Sequence, residues 1–580
     1  MKKINHNLLI LLLFVIGSGV FIQLNFRYFY AFMEQYMMFQ TTSAYFVQHL
    51  SEPGGFSEYV TEFLSMLFYY PLGAASVIAL FVGLISFSFY SFMKSCKVDK
   101  GMFAAVLPAF LLLVFPQEAI THYVTLAVAV SFAALYASVG NEKLRWCLGI
   151  VMLVASYFLA APANLILAMM VAVYELAVHR RYLPAVVAVV LGGLLPLLAM
   201  RTLFVLPMRE IFLSRHIANL EVAVPKELWV IGLVYPLWAV ALCAADKWMK
   251  LPDNKFVIWA QYGVVAFGLA ACVIFKVDLM EQPYMYDYFA RHDQWEKISD
   301  HARKNGVSDF DALVYANLAA SHTGRMATDF TRTPQMGVYG LFPREAKYYI
   351  QNILAGEVAW QVGHVNMAQR ASFIGTLGSR RSIQPRLMKR LVETYIITEE
   401  MAVAEKFIKI LESYPPLSKW ATAQRPLLDP EVAAKTDWVV KKRSLMPVTD
   451  NRHDMQTNFP AAVKGIVQDH PENRPALEYL LSYVLGYKDI TNFMAYIEPY
   501  KGQPMPKLYQ EVICVYFASM GSQKDLDEYK IDPSIWKRFM DYSRNMTMMG
   551  QETAYKLYGD TYYYYLQYGN MPAPPETQNQ

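Results

Sequence analysis

Cysteine is scarce in this 580-residue chain: there are five, and Cys514 alone lies in the second half. That half therefore holds no internal disulfide, and no Cys/His spacing of the zinc-binding kind occurs. Also missing are a P-loop, a G-x-S-x-G elbow, a His-Glu-x-x-His pair and a dinucleotide-binding glycine fingerprint. An excess of charge of one sign is lacking as well. Residues 1–276 carry 18 Lys+Arg and 13 Asp+Glu, which leaves 34 basic and 35 acidic side chains for the remaining 304. A nearly neutral second half has no basic face for a nucleic acid, so that partner is excluded.

Long apolar runs are confined to residues 1–276, where nine segments read as candidate spans. They cover about 7–26, 71–93, 102–115, 119–139, 146–160, 163–178, 183–206, 228–245 and 256–276. Several are short enough to need tilt or local thinning of the bilayer. Pro116 and Ala161-Pro162 mark either hairpin tips or breaks inside longer helices.

The gaps between these runs alternate in charge. Lys2/Lys3, Lys94/Lys97/Lys100, Lys143/Arg145, Arg180/Arg181 and Lys247/Lys250/Lys255 occupy every second gap, while the gaps between them carry acids, prolines and aromatics. Basic clusters stay on the cytoplasmic side of a bilayer. The expectation is a multi-pass bacterial inner-membrane protein with a cytoplasmic N-terminus and a periplasmic second half. A disulfide-free exported domain suits a bacterial periplasm. The apolar run that begins at Leu8 continues to Phe26 without a small-x-small cleavage site, so it reads as an uncleaved first span.

Two outward gaps are large, 27–70 and 207–227. The first is aromatic at helical spacing (Tyr28, Phe32, Tyr36, Phe39), as in a helix lying at the interface. Ser51-Glu52-Pro53-Gly54-Gly55 then predicts a turn, followed by an amphipathic segment with Glu58 and Glu62 one turn apart. These two acids read as a solvated face. Glu175 is expected to pair with Arg180, and Glu118 and His122 to sit solvated at the outer end of a span.

From Tyr284 onward, apolar positions follow the 3–4 spacing of short amphipathic helices. Expected helices include Tyr284–Asn305, Asp309–Thr323, Ala346–Val362, Asn366–Leu377, Gln384–Ile397, Met401–Tyr414 and Pro475–Leu485. Small residues at the turns suggest a tetratricopeptide-like α-solenoid with degenerate repeats over 277–570, whose concave face suits a peptide or protein. The tyrosines of 555–568 read as a last helix capping the stack, and 571–580 as a disordered tail. The fold class is thus all-α: a membrane domain over 1–276 and a helical-repeat domain behind it.

Glu34-Gln35, Tyr45-Phe46, Pro53-Gly54-Gly55 and Glu58-Tyr59 resemble a family of polytopic Bacteroidota proteins known only as a domain of unknown function. The likeness extends through Asn317-Leu318-Ala319, Gly324-Arg325-Met326, Gly363-His364 and Ala368-Gln369-Arg370. The architecture is also similar to the GT-C membrane glycosyltransferases, whose first outward loop carries interfacial helices and a catalytic acid just behind the first span. That resemblance implies a glycosyltransferase or oligosaccharyltransferase with Glu34 in the acid's place. The sequence departs from it in one respect: loop 27–70 contains no Asp, and so no acidic pair.

On this reading Glu34 takes a proton or holds a divalent cation, the one candidate cofactor. Paired with Arg27, or simply solvated, it would do neither. Arg201, Arg209, Arg215 and His216 form a candidate site for the phosphate of a polyprenyl-linked donor; anchoring to lipid headgroups explains the same arginines. The expected activity is transfer of a sugar or glycan to a periplasmic acceptor. The alternative is a non-enzymatic, bilayer-anchored scaffold for envelope proteins, with a transporter third.

Overall fold

A computed structural model describes every residue except 1–4, 99–100, 116–119, 219–225, 247–254, 278–280, 344–348, 379–383, 449–454, 456, 522–523 and 571–580. Pro116, Glu118, the 571–580 tail, Lys2, Lys3, Lys100, Lys247 and Lys250 lie outside the described residues, as does the side chain of His216. The chain is all-α, with no strand among the described residues. It divides into two compact units. The first comprises Met1–Leu279, Arg380–Pro385 and Glu412–Lys419; the second comprises Met280–Ser379, Arg386–Leu411 and Trp420–Gln580. Two short segments beyond residue 276, Arg380–Pro385 and Glu412–Lys419, thus group with the first unit.

In the first unit six helices are long and apolar enough to cross a membrane. They are His6–Asn25, Gly73–Ser95, Thr121–Ser138, Glu142–Ala160, Tyr182–Thr202 and Lys255–Phe275. Three further apolar helices, Met102–Val114, Ala163–His179 and Val230–Ala245, are shorter. Of these, Val230–Ala245 is the apolar part of a 20-residue helix, Lys226–Ala245. Met102–Val114 is interrupted by a 3₁₀ turn around Pro108, whose missing N–H cannot continue an α-helix. Ala161-Pro162 is a hairpin tip between Glu142–Ala160 and Ala163–Tyr174.

Small residues let these helices approach closely, as packing without a hydrophobic drive requires. A Cβ on Gly19 would stand 3.6 Å from the Ala79 Cβ. One buried ionic group is answered within the unit. Arg145 Nε lies 3.1 Å from Glu175 Oε1, which also accepts a hydrogen bond from Tyr136 Oη at 2.8 Å. The expected Glu175–Arg180 pair is therefore replaced by Glu175–Arg145. Arg180 follows a π-helical turn, Glu175–His179, and takes φ +55° where the chain reverses, whereas Arg145 projects from a neighbouring helix.

The second unit is built of helices that pack pairwise: Trp295–Asn305 on Phe310–His322, Tyr349–Val362 on Val365–Gly378, Phe459–Asp469 on Arg474–Gly486, and Lys507–Met520 on Pro533–Asn545. Local chemistry fixes their starts. Asp309 accepts from the Ala312 N–H at 2.9 Å and Asn473 from that of Ala476 at 3.2 Å, each satisfying a first-turn donor. The expected helix over Tyr284–Asn305 is two, Glu281–Arg291 and Trp295–Asn305, because the chain turns through Asp293 at φ +53°. Tyr562 and Tyr563 of the last helix, Tyr562–Tyr568, are buried against Phe330 and Val512 and against Phe539 and Tyr542.

Candidate functional site

Loop 27–70 folds as three short α-helices, Arg27–Met33, Ser43–Leu50 and Gly55–Ser65, with 3₁₀ turns at Glu34–Tyr36 and Met66–Tyr69. The turn before the third depends on glycine. Gly54 has φ +70°, and a Cβ there would lie 2.7 Å from the Ala161 nitrogen and 3.2 Å from the Ser214 Cβ. Its N–H donates to the Tyr157 carbonyl at 3.1 Å, and Tyr157 Oη donates to the Ile211 carbonyl at 3.1 Å. The turn is thereby docked onto the hairpin tip and onto the 211–214 segment, which brings Glu52 to Arg215 at 3.2 Å.

Glu58 and Glu62, expected on a solvated face, are 2 % and 1 % exposed. The buried side of Gly55–Ser65 is its polar side: Gly55, Ser57, Glu58, Thr61, Glu62 and Ser65. Phe63 and Leu67 face outward instead. The helix is amphipathic, but against an apolar surrounding its polar stripe turns inward, where side chains can answer it.

Glu62 meets two such side chains. Tyr45 Oη donates to Glu62 Oε2, and His49 Nε2 lies 3.3 Å from the same oxygen. His49 Nδ1 stands 2.9 Å from the Tyr45 carbonyl oxygen. A carbonyl only accepts, so Nδ1 carries a proton and Nε2 of the neutral ring is a bare acceptor aimed at Glu62. Burial raises the Glu62 carboxyl well above the usual carboxylate range, opposed by Arg215. Burial likewise lowers the His49 imidazole, with Glu52 raising it and Arg215 lowering it further. Both shifts disfavour the charged form. Phe39, Phe46 and Tyr59 pack around the pair, with the Tyr59 ring 5.9 Å from that of His49.

Of the residues expected at the site, Arg215 joins this cluster through Glu52. Arg201 and Arg209 are exposed, at the end of Tyr182–Thr202 and in Met208–Phe212, outside the hydrogen-bonded group. Glu34 is 4 % exposed, and its Oε1 accepts a 2.7 Å hydrogen bond from Tyr414 Oη, a buried residue of the returning segment Glu412–Lys419. His122, expected solvated, is buried. No group of three or more His, Cys, Asp or Glu among the described residues is placed to hold a metal ion. Sequence reasoning passed over His49 and read Glu62 as part of a solvated face, with a catalytic role second. The signal for Glu62 was present, since Gly, Ser, Glu, Thr and Glu share one face of the helix 55–65, but it had to be read with the polar face inside.

Six helices of membrane-spanning length, a loop with buried acids and a second helical unit define an all-α protein whose apolar helices could cross a membrane. The chain belongs to DUF6057, a family of unknown function, whose match covers residues 2–569. No curated protein and no solved structure matches the chain.

Proposed function

We propose that this chain is a transferase of the bacterial inner membrane that moves a sugar or glycan from a polyprenyl-phosphate donor to an acceptor outside the cytoplasm. One observation carries the reading: an acid and a base, Glu62 and His49, stand 3.3 Å apart in the outward loop, next to the Glu52–Arg215 pair. The bare Nε2 of His49, with Glu62 beside it, takes the proton of an acceptor hydroxyl as its oxygen bonds to the sugar carbon. The bond from that carbon to the phosphate oxygen breaks, and polyprenyl phosphate leaves with the electron pair opposite Arg215. In this reading the acid of the mechanism is Glu62, while Glu34, held by Tyr414, is a joint between the loop and the returning segment. The N-terminus is cytoplasmic, nine helices sit in the bilayer, and the second unit is a periplasmic solenoid that presents the acceptor.

The test is glycoproteomics of a deletion strain complemented with Glu62→Gln. Loss of one glycan class with protein level intact supports the transferase, and full complementation rejects it. Alkaline-phosphatase fusions near residues 97 and 300 test the orientation: activity at 300 and none at 97 is expected, and the reverse overturns it. The competing scaffold reading is favoured by Glu34, whose carboxylate binds a tyrosine of the same chain rather than facing solvent. It predicts unchanged glycans with altered envelope-protein complexes.

A further inference from the structure

In the second unit, the end of the helix Val365–Gly378 is inside out by the standard of a water-soluble protein. Over its last two turns the buried side is small: Ala371, Ser372 and Gly375. A Cβ on Gly375 would stand 2.6 Å from Leu387 Cδ1 and 3.1 Å from the Asn352 Cβ, so this side is closely packed. The outward side carries Phe373, Ile374 and Leu377, which are 48 %, 40 % and 70 % exposed. Earlier on the same face, one turn apart, stand Asn366 and Arg370, also exposed. The outer stripe is therefore polar where the helix starts and apolar where it ends. A helix surrounded by water turns its large apolar side chains to the core. The reverse order suits apolar surroundings, as it does for Gly55–Ser65, which buries Glu58 and Glu62 and turns Phe63 outward.

Chain connectivity says what those surroundings are. Three residues beyond Leu377 begins Arg380–Pro385, which belongs to the first unit, the one with the membrane-length helices. Three residues reach at most about 11 Å, so the apolar end of the stripe is the end tied to that unit. The other return of the chain has a similar edge. The helix Pro415–Gln424 starts in the first unit and leaves it at Trp420, and Lys389 Nζ lies 5.0 Å from the centre of the Trp420 ring. Tryptophan and lysine are residues that settle at headgroup level.

We propose that Phe373, Ile374 and Leu377 enter the lipid at the bilayer surface and anchor the second unit to the membrane. Interfacial segments bury their apolar side about 5–10 Å into the boundary of headgroups and acyl chains. A protein partner suits the face less well, because three side chains fall far short of the ~800 Å² a side of a stable interface. Lipid needs no such area: the first unit already holds the chain, so the added contact forms within one tethered molecule. The proposal depends on membrane entry of the first unit and is independent of the transferase reading.

The test is photo-crosslinking of the full-length protein in nanodiscs of phosphatidylethanolamine and phosphatidylglycerol. The photoreactive residue p-benzoylphenylalanine replaces Asn366, Phe373 or Leu377 in turn, and adducts are identified by mass spectrometry. All three side chains are exposed, so each variant should unfold at the wild-type temperature. Lipid adducts are expected at 373 and 377 and not at 366, with both lipids captured in their mixing ratio. Adducts at 373 or 377 to protein, whether this chain or a second copy, overturn the proposal, and so does the lack of any adduct there. Lipid captured equally at 366 overturns the placement of the contact at the helix end. Capture of one lipid species alone signifies a single bound molecule in place of the bilayer surface and overturns it as well.

Discussion

Two buried carboxylates of the second unit, Asp287 and Glu357, meet arginines, whereas Glu34 and Glu62 of loop 27–70 meet a tyrosine and, for Glu62, a histidine as well. Asp287 is held by Arg386, by Arg291 at 3.2 Å and by the Tyr315 hydroxyl at 2.7 Å. Glu357 is held by Arg390 at 2.9 Å, Arg386 at 3.3 Å and Gln361 at 2.8 Å, and the Arg390 guanidinium lies 4.2 Å from the centre of the Trp360 ring. Burial alone would raise the Glu357 carboxyl, yet Arg390 and Arg386 outweigh it and hold it down at about 2. Asp287 moves the same way for the same reason. Glu62 moves in the opposite direction, because burial outweighs the lowering by Arg215. An acid locked as an anion by fixed cations organises a core, whereas a buried acid beside an imidazole and not so locked suits proton exchange.

The largest effect expected from this contrast is on turnover. Glu62→Gln should lower transfer by about 10²–10⁴-fold, the usual cost of losing a catalytic acid–base group. Glu357→Gln, a change of the same chemistry in the second unit, should spare transfer and lower stability instead. An assay of both variants at matched protein level breaks the comparison if the two effects are exchanged.

Next is Arg386→Met, which takes the shared cation from Asp287 and Glu357. Removal of one partner from a buried ionic group costs about 3–5 kcal/mol, because the remaining charges keep their desolvation penalty. Thermal unfolding of the purified full-length protein should show a clear drop, and an unchanged midpoint would mean that the ionic cluster holds nothing together.

A smaller loss is expected from Tyr414→Phe, which deletes the hydrogen bond to Glu34 Oε1. The cost should be about 1–3 kcal/mol, read as faster hydrogen exchange in 412–419. Exchange at the wild-type rate would remove Glu34 from its place as a joint.

The pH dependence is the finest test. Glu357 is depressed to about 2 from an ordinary 4.5, so its contribution is complete above 4.5 and is lost as pH falls through about 2. Glu511 is shifted the other way, to about 7, mainly by burial, although its Oε2 accepts the Tyr562 N–H at 2.8 Å. The folded state therefore binds more protons than the unfolded one between 4.5 and about 7, and stability falls as pH rises through that window. Glu511→Gln should flatten stability between those values and leave the acid limb to Glu357. An unchanged slope in that window would place its origin elsewhere.

Where neighbours in the sequence decide the structure, the sequence was legible. The helix Phe310–His322 behind its Asp309 cap lies within a residue of the expected 309–323, and Arg474–Gly486 within a residue of 475–485. Apolar spacing and a capping side chain act over three or four residues, which is the range that such patterns report. Glu62 was misread because its helix was oriented by the rule for water-soluble proteins. The same stripe of Gly55, Ser57, Glu58, Thr61 and Glu62 faces inward when its surroundings are apolar, and the stripe alone does not name its surroundings.

Partner choice lay further out of reach. Glu34 and Tyr414 are 380 residues apart, and Glu175 takes Arg145 thirty positions upstream rather than the nearer Arg180. By itself the sequence determined the helical class, the membrane-length helices and the start of each capped helix, since hydrophobic area and first-turn donors are local quantities. Tertiary structure alone decided which acids are buried, which cation or phenol each one meets, and hence which of them keeps a proton. Desolvation and charge pairing depend on distances through space, and those exist only once the chain has folded.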